Sequence, residues 1–275
     1  IKLFKSLSKK NNNKKIIDLN FLTIPAIIKF KEIINKMNLT NDDLIKINWF
    51  FKPKSQSNES KIIIHIINKF KINKNFLEIG FSPWEFNCSD IIKENNGYII
   101  DADSENIKIG KWLFNKINFI CEFIDLENID QIIRKINKKI DILSLDIDGN
   151  DYYIMKKLFI LNPSLIICEY NPAYHLRPIC SIYKKDFDRT KEQDQWLYYG
   201  CSIKGWEILM KKNGYLPVAI SDSGVNVFFV KESLIKEKKD IIDIDNSFVD
   251  YNWPNNLTHK DQWVKIKNMN YYNII

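Results

Sequence analysis

Three aspartates lie close together at the end of one apolar run in the middle of the chain. In the segment LSLDIDGNDYY these are Asp146, Asp148 and Asp151. Carboxylates at this spacing raise each other's pKa unless a cation or a hydrogen-bond donor lies between them. They could take a proton from a substrate hydroxyl, or bind Mg²⁺. The spacing also resembles the start of a calcium loop, but Lys156 stands where that loop needs a glutamate, which excludes it.

A second polar group follows the next apolar run. Glu169 and Asn171 end that run, and His175 comes soon after, at the start of a long irregular segment. A histidine beside a cleft can act as a general base. The alternative is an exposed or hydrogen-bonded histidine with no part in the chemistry. Because adjacent strand ends form the ligand crevice of an open α/β sheet, we expect Glu169 to lie beside the aspartates.

A glycine turn and a later aspartate predict a nucleotide-like ligand. The segment FLEIGFSP joins a strand to a turn at Gly80 and then to a helix, where backbone N–H groups can meet such a ligand. The other glycines of GxGxxG are missing, which argues against a pyrophosphate cofactor. Asp101 ends the next strand, about 20 residues later, where a carboxylate can bind ribose hydroxyls. We expect Asp103 or Ser104 to cap the following helix.

These residues must be positioned by an α/β sheet. In residues 61–231, predicted strands alternate with predicted helices. The apolar strands lie at 76–79, 98–100, 119–123, 140–147 and 165–168. The helices lie at 62–70, from the turn after Gly80 through Ile92, and at 106–114, 129–136 and 153–159. Continuous apolar strands that alternate with helices indicate a parallel sheet covered on both faces. A helix at 203–212 then precedes strands at 215–220 and 225–230, which a short turn makes antiparallel. The prediction is a Rossmann-like, doubly wound, mostly parallel sheet that ends in an antiparallel strand.

The flanking regions are less regular. Residues 1–60 predict a helical N-terminal extension, with helical spacing over 24–37, a possible cap at 41–43 and a polar loop at 52–58. Residues 172–200 predict a long irregular loop, and we expect it to form a mobile lid or substrate loop over the strand ends. Residues 232–275 predict a C-terminal extension, part packed and part mobile.

Composition excludes several classes of protein. No apolar run reaches the length of a transmembrane helix, and the basic N-terminus lacks the apolar core of a signal peptide. The five cysteines form no CxxC pair, which disfavours a zinc or disulfide framework and fits a reducing, cytoplasmic setting. The net charge of +7 arises from lysines, which are spread along the chain and do not form one patch. Ile and Asn are enriched in the same way, so we do not expect a nucleic-acid partner.

The chain resembles the class I S-adenosylmethionine-dependent methyltransferases, and among them the FkbM-type group, over roughly residues 60–231. FLEIG resembles motif I, and YIIDAD resembles the ribose-binding strand end. LSLDIDGNDYY followed by LIICEYNP resembles the D-x-E/D-G signature and the next strand of that group. YYGCSIKGWEILMKKNGY with SGVNVFFV resembles its closing helix and reversed hairpin. The resemblance implies S-adenosyl-L-methionine as cofactor, and a sugar or other small hydroxyl compound as acceptor.

Site roles follow from the residues and the resemblance together. The predicted cofactor-binding residues are Glu78, Gly80, Ser82, Asn87, Asp101, Ala102, Asp125 and Asp146. Among them, the resemblance places Asp125 near the adenine, and Asp146 is assigned to the amino-acid end of the cofactor. The candidates for general base are Asp148, Glu169 and His175, and no metal is expected, because removal of a hydroxyl proton needs a base and not a Lewis acid.

Three other functions remain open. A nicotinamide-dependent enzyme is disfavoured by the single glycine and the final hairpin. A non-catalytic protein that kept the fold is possible, since fold does not imply function. A nucleic-acid methyltransferase would explain the charge, but the segment from Asn171 to Tyr174 lacks the second proline of the base-gripping motif and follows the wrong strand.

Overall fold

The structure is a computed structural model that describes residues 55–83, 85–92, 97–114, 116–251 and 257–275. Its central feature is a seven-stranded sheet in the order β3-β2-β1-β4-β5-β8-β7. Strands β1 to β5 pair in parallel, whereas β8 is antiparallel to both β5 and β7. The predicted fold class is therefore confirmed, including its reversed strand. The seven strands are β1 (Phe76–Ile79), β2 (Tyr98–Asp101), β3 (Asn118–Cys121), β4 (Ile142–Leu145), β5 (Leu165–Glu169), β7 (Tyr215–Ile220) and β8 (Asn226–Lys231).

Helices cover the sheet on both faces, and those predicted at 62–70, 106–114, 129–136, 153–159 and 203–212 lie close to their predicted positions. Their bounds are α1 (Glu59–Phe70), α2 (Ser104–Leu113), α3 (Ile129–Lys135), α4 (Asp151–Leu158), α5 (Arg189–Glu192), α6 (Ile203–Lys212), α7 (Ile244–Ser247) and α8 (His259–Ile266). In the described part of the chain, none of these helices has the length and apolar character needed to span a membrane.

Strand residues alternate between two apolar cores. In β4, Leu143 and Leu145 pack into one cluster of buried side chains, and Ile142 packs into the cluster on the opposite face. Leu77 and Phe76 of β1 are divided in the same way. Because both faces are buried, these strands are apolar at successive positions instead of alternating with polar residues.

Side-chain caps fix where the helices begin. The Asp103 carboxylate accepts the N–H groups of Glu105 and Asn106 at the start of α2, so the predicted cap at Asp103 is confirmed. Ser202 caps α6 by accepting the Gly205 N–H. A cap satisfies one or two of the backbone donors that a helix start leaves unpaired.

The helix predicted directly after Gly80 is wrong. The chain forms only a short 3₁₀ helix, Asn87–Asp90. The Glu78 carboxylate accepts the N–H groups of Asn87 and Cys88, which draws this segment onto the end of β1. The buried acid thus replaces part of the hydrogen bonding that a longer helix would supply.

The segment 172–200 is more ordered than the sequence predicts. It contains a 3₁₀ turn, strand β6 (Ile179–Ser181) and α5. Strand β6 pairs antiparallel with β9 (Tyr271–Asn273), so the C-terminal extension packs on this segment. Ile274 is buried and packs closely against Gly205, where a side chain larger than glycine's would collide with it. The N-terminal predictions at 24–37 and 41–43, and residues 52–54 of the loop predicted at 52–58, lie outside the described residues.

Candidate active site

A cavity of about 440 Å³ opens at the carboxyl ends of the parallel strands. It is lined by the turn after β1, the ends of β2 and β4, the residues that follow β3, and the first residue of β8. Most of the predicted cofactor-binding residues line this one cavity: Glu78, Gly80, Ser82, Asn87, Asp101, Ala102 and Asp146. Its volume lies in the range typical of small-molecule sites.

Gly80 lines the cavity and adopts a backbone conformation that favours glycine. Its φ is +84°, and a Cβ there would lie 1.5 Å from the backbone oxygen of Asp146. The Gly80 N–H donates to Ile100 O at 3.0 Å, and the Asp146 N–H donates to Ile79 O at 2.9 Å. The turn therefore brings the ends of β1, β2 and β4 into close contact, which any other residue would prevent.

Asp101 is held firmly at the end of β2. Its Oδ2 accepts the Phe81 N–H at 2.8 Å, and its Oδ1 accepts the Asp103 N–H at 2.7 Å. Burial raises the pKa of Asp101, and these backbone hydrogen bonds act in the opposite direction. A carboxylate has about four lone-pair positions, so Asp101 can still accept hydroxyl groups from a ligand.

Glu78 and Asn87 line the cavity and are joined through hydrogen bonds to Ser144. Glu78 is 1% exposed, and its carboxylate also accepts from the Ser144 hydroxyl at 3.2 Å. Burial raises the pKa of Glu78, while its hydrogen bonds lower it. Asn87 Nδ2 donates to the same Ser144 oxygen at 3.0 Å. These contacts give Glu78 a clear role in shaping the turn around the cavity.

Asp125 is not among the residues that line the cavity, and its place near the adenine stays a prediction. Its Oδ1 accepts the N–H groups of Glu127 and Asn128, so the side chain caps the turn that leads into α3. The cavity is lined instead by the two preceding residues, Phe123 and Ile124. Phe123 is 47% exposed and offers an aromatic face at this edge.

His175 also lies apart from the cavity. Its ring stacks on that of His259, with centroids 4.4 Å apart, and meets the edge of Phe248. His259 Nδ1 lies 2.7 Å from a carboxylate oxygen of Asp250. Burial lowers the pKa of His175, and the neighbouring His259 lowers it further. The geometry makes His175 part of the contact between the 172–174 turn and the C-terminal segment, so its position does not support the predicted catalytic role.

The acid cluster lies where the sequence predicts it. Oxygen atoms of Asp146, Asp148 and Glu169 all lie within 4.8 Å of one another, close enough to share a proton or a cation. Burial raises the pKa values of Asp146 and Glu169 well above their usual range, and the negative charges of neighbouring carboxylates raise them further. Asp146 is hydrogen-bonded to Glu169. A hydrogen bond between two carboxyl groups requires a proton, so the pair holds one.

Arg189 supplies a positive charge to the cluster. Its guanidinium forms an ion pair with Asp148 and stacks on the Tyr199 ring, 3.9 Å from the centroid. The crowding of acids predicts a cation or a hydrogen-bond donor beside them, but no sequence feature identifies Arg189 as that residue. Arg189 begins a four-residue helix inside the irregular segment, where no periodicity or motif marks it.

A second cavity, of about 650 Å³, adjoins the first. Asp148, Ile147, Phe123 and Phe187 line both cavities. The irregular segment supplies most of the remaining wall, including Trp196, which is 44% exposed. Asp148 therefore stands at the junction of two spaces, as a group that acts between two bound molecules would.

The C-terminal segment contributes a residue that the sequence did not indicate. The hydroxyl group of Tyr251 hydrogen-bonds with the side chain of Gln56, which lines the first cavity. Burial raises the pKa of Tyr251, and the charges of Glu85 and Glu169 raise it further. The phenol thus lies near the acid cluster, although it follows the last strand of the large sheet along the chain.

No protein-family profile matches the chain, and no curated protein sequence matches it. Several solved structures are similar in fold. The N-terminal domain of EvdMO1 with SAH bound has a TM-score of 0.44 and 7% identity, covering 77% of this chain and 98% of that one. An O-methyltransferase from Bacillus cereus in complex with SAH has a TM-score of 0.42 and 11% identity, covering 84% and 97%. An S-adenosylmethionine-dependent methyltransferase from Clostridium acetobutylicum has a TM-score of 0.39 and 14% identity, covering 74% and 97%. At these identities and TM-scores the similarities do not indicate what this chain binds or catalyses.

Proposed function

We propose that this protein transfers a methyl group from S-adenosyl-L-methionine to a hydroxyl group of a small-molecule or glycan acceptor. The observation that carries the proposal is the pair of joined cavities. The first is lined by Gly80 and Asp101 and by Asp146 and Asp148 of the acid cluster, and the second is also lined by Asp148. The motifs that resemble the FkbM-type group support a sugar-like acceptor.

The residues around the first cavity fit such a cofactor. The missing side chain at Gly80 lets the turn after β1 pack against the backbone of Asp146, and Asp101 keeps lone-pair positions for ribose hydroxyls. Phe123 and Ile124 offer an apolar edge for the adenine in place of Asp125. Asp146 would hold the amino-acid end, as the sequence predicts. When bound, the cofactor supplies an electrophilic methyl group on a positively charged sulfur.

Asp148 is the best-placed general base. It lines both cavities, whereas Glu169 is 8% exposed and hydrogen-bonded to Asp146. Asp148 would accept the proton of the acceptor hydroxyl, and Arg189 would hold its carboxylate in place. The walls of the two cavities would fix donor and acceptor relative to each other, which lowers the barrier by removing translational freedom.

Calorimetry with S-adenosylmethionine, S-adenosylhomocysteine and NAD in parallel tests the cofactor. We expect both adenosyl sulfur compounds to bind and NAD not to bind. Asp101→Ala should weaken binding by at most about 3 kcal/mol, as the loss of a charged hydrogen-bond partner does. Failure of S-adenosylhomocysteine to bind at millimolar concentration would rule the cofactor out, and binding of NAD alone would favour the nicotinamide-dependent alternative.

Methyl transfer with and without EDTA tests the mechanism. We expect turnover to persist in EDTA, and Asp148→Asn to lose turnover while S-adenosylhomocysteine still binds. Loss of activity in EDTA and rescue by Mg²⁺ would assign Asp148 to a metal instead of a proton. A gel shift with duplex and single-stranded nucleic acid over a range of salt concentrations tests the expectation that the acceptor is not nucleic acid. A cytoplasmic location remains part of the proposal.

A further inference from the structure

Two buried acceptor atoms at the end of the β5–β8 pair have no partner within the described part of the chain. Asn226, the first residue of β8, is paired in register with Glu169, the last residue of β5. Asn226 is 2% exposed and Glu169 is 8% exposed. Asn226 Oδ1 and Glu169 Oε2 are both buried without a hydrogen bond. A buried acceptor without a donor destabilises the folded state, so two on adjacent strands call for an explanation.

Both atoms belong to the first cavity or lie directly beside it. Asn226 lines the cavity, and Glu169 lies within 4.8 Å of Asp146, which also lines it. A molecule bound in the first cavity would therefore lie next to Asn226, with Glu169 beside it. A ligand that supplied donors here would remove the cost of leaving them unpaired.

The other members of the acid cluster already have partners. Asp148 is paired with Arg189, and Asp146 is hydrogen-bonded to Glu169. The atoms that remain open are one amide oxygen and one carboxyl oxygen. Asn226 Oδ1 can only accept a hydrogen bond, and Glu169 Oε2 accepts one when the shared proton lies on Asp146, so a group that pairs with both atoms must carry donors.

We propose that Asn226 Oδ1 and Glu169 Oε2 form a subsite for a primary ammonium group of a bound ligand. An ammonium group carries three N–H donors, and the surrounding carboxylates Asp146 and Glu85 favour its positive charge. A divalent cation could use oxygens of Asp146, Asp148 and Glu169, but it fits less well because it would compete with Arg189 for Asp148 and with the proton shared by Asp146 and Glu169.

The source of the ammonium group depends on the proposed function. The subsite itself does not depend on it. The amino-acid end of the proposed cofactor carries a primary amine, and an amino-bearing acceptor would carry another. Both present the same chemistry to Asn226. The experiment must therefore separate the two sources.

Binding to the full chain and to two variants tests the subsite. Asn226→Leu removes the acceptor at similar size, and Asn226→Asp keeps it. The first two probes are S-adenosylhomocysteine, which has the amine, and 5′-methylthioadenosine, which lacks the whole amino-acid end. The third probe is methylammonium chloride, whose binding is followed by the NMR signals of the Asn226 side-chain amide. Thermal unfolding of each variant controls for folding. Because Asn226→Leu removes an unpaired acceptor, we expect its Tm to be unchanged or higher.

If the cofactor supplies the amine, Asn226→Leu will weaken S-adenosylhomocysteine binding by about 10- to 100-fold, and methylthioadenosine binding will not change. If the acceptor supplies it, both affinities will stay the same, and methylammonium will shift the Asn226 signals in the S-adenosylhomocysteine complex. In either case Asn226→Asp should retain binding.

The subsite is refuted if Asn226→Leu leaves S-adenosylhomocysteine affinity unchanged and methylammonium does not shift the Asn226 signals of the unmodified chain. It is also refuted if Mg²⁺ shifts the Asn226 signals and methylammonium does not, or if Asn226→Leu only lowers Tm. If the unmodified chain binds neither adenosyl compound, the proposed function fails. The methylammonium titration still decides the subsite in that case, so the two failures are distinguishable.

Discussion

Replacing Glu169 with glutamine should make the protein more stable and less active. Glu169 and Asp146 are buried carboxyl groups that share one hydrogen bond, and burial raises the pKa values of both. In Glu169→Gln the amide N–H can donate to Asp146 without any proton being held, at almost the same size. The change therefore removes a buried titratable group and keeps the contact.

The sign of the pH effect follows from the raised pKa. An unfolded glutamate loses its proton near pH 4.3, whereas the folded protein keeps the proton to a higher pH. Between these two values the folded state binds more protons, so its stability falls as the pH rises. One extra bound proton costs about 1.4 kcal/mol for each pH unit over which it is retained. We expect Glu169→Gln to gain about 1–3 kcal/mol over the unmodified protein at pH 7, and little at pH 5.

Urea unfolding at pH 5, 6, 7 and 8 measures this gain directly. Glu232→Gln, at an exposed glutamate in a 3₁₀ turn, is the matched control, and its curve should run parallel to that of the unmodified chain. Turnover of Glu169→Gln should fall while S-adenosylhomocysteine still binds. If the variant is less stable at pH 8, or if its stability falls with pH as steeply as that of the unmodified chain, the shared proton does not exist as described.

Three further predictions concern the turn, the C-terminal segment and the irregular loop. Gly80→Ala should abolish cofactor binding and lower Tm, because its Cβ would lie 1.5 Å from Asp146 O; Gly214→Ala, with φ +79° and open space around its Cβ, should cost only the about 1–3 kcal/mol of backbone strain. Tyr251→Phe should weaken S-adenosylhomocysteine binding several-fold and leave the KM for the acceptor unchanged, because the lost hydroxyl holds Gln56, which lines the first cavity and not the second; a change in acceptor KM alone would contradict this assignment. Hydrogen exchange should be fast at 182–196, where most side chains are exposed, and slow at 179–181 and 197–201, which are buried, with 182–196 slowing when ligands bind; uniform protection without ligand would show that no part of the loop is a lid.

The half of the site that lies over β1, β2 and β4 was predictable because local patterns encode it. Strands that are apolar at successive positions, followed by Gly80 and later by Asp101, specify a buried parallel sheet and the turns at its carboxyl edge. The crowding of Asp146 and Asp148 was also visible, because they are close along the chain. Each of these signals spans a few residues, so no knowledge of distant contacts was needed.

The capping contacts of Asp125 and the missing helix after Gly80 have a common physical cause. Asp125 accepts two backbone N–H groups, and Glu78 accepts another two. An acid that binds its own backbone looks, in sequence, like one that binds a ligand. The spacing of Asp125 ahead of Ile129 and the start of α3 was a capping signal that could have warned against a role with adenine.

The half of the site around Asp148 depends on contacts that no local pattern contains. Arg189 comes from an irregular segment, and Tyr251 comes from beyond the large sheet. Strand β6 of that irregular segment is paired with β9 near the C-terminus, and the stacked rings of His175 and His259 join the same two regions. The position of Arg189 over the acid cluster is therefore tied to the packing of the C-terminal segment. It follows that changes which loosen this segment should affect the acceptor end of the site before the cofactor end, since Gly80 and Asp101 are held by the sheet alone.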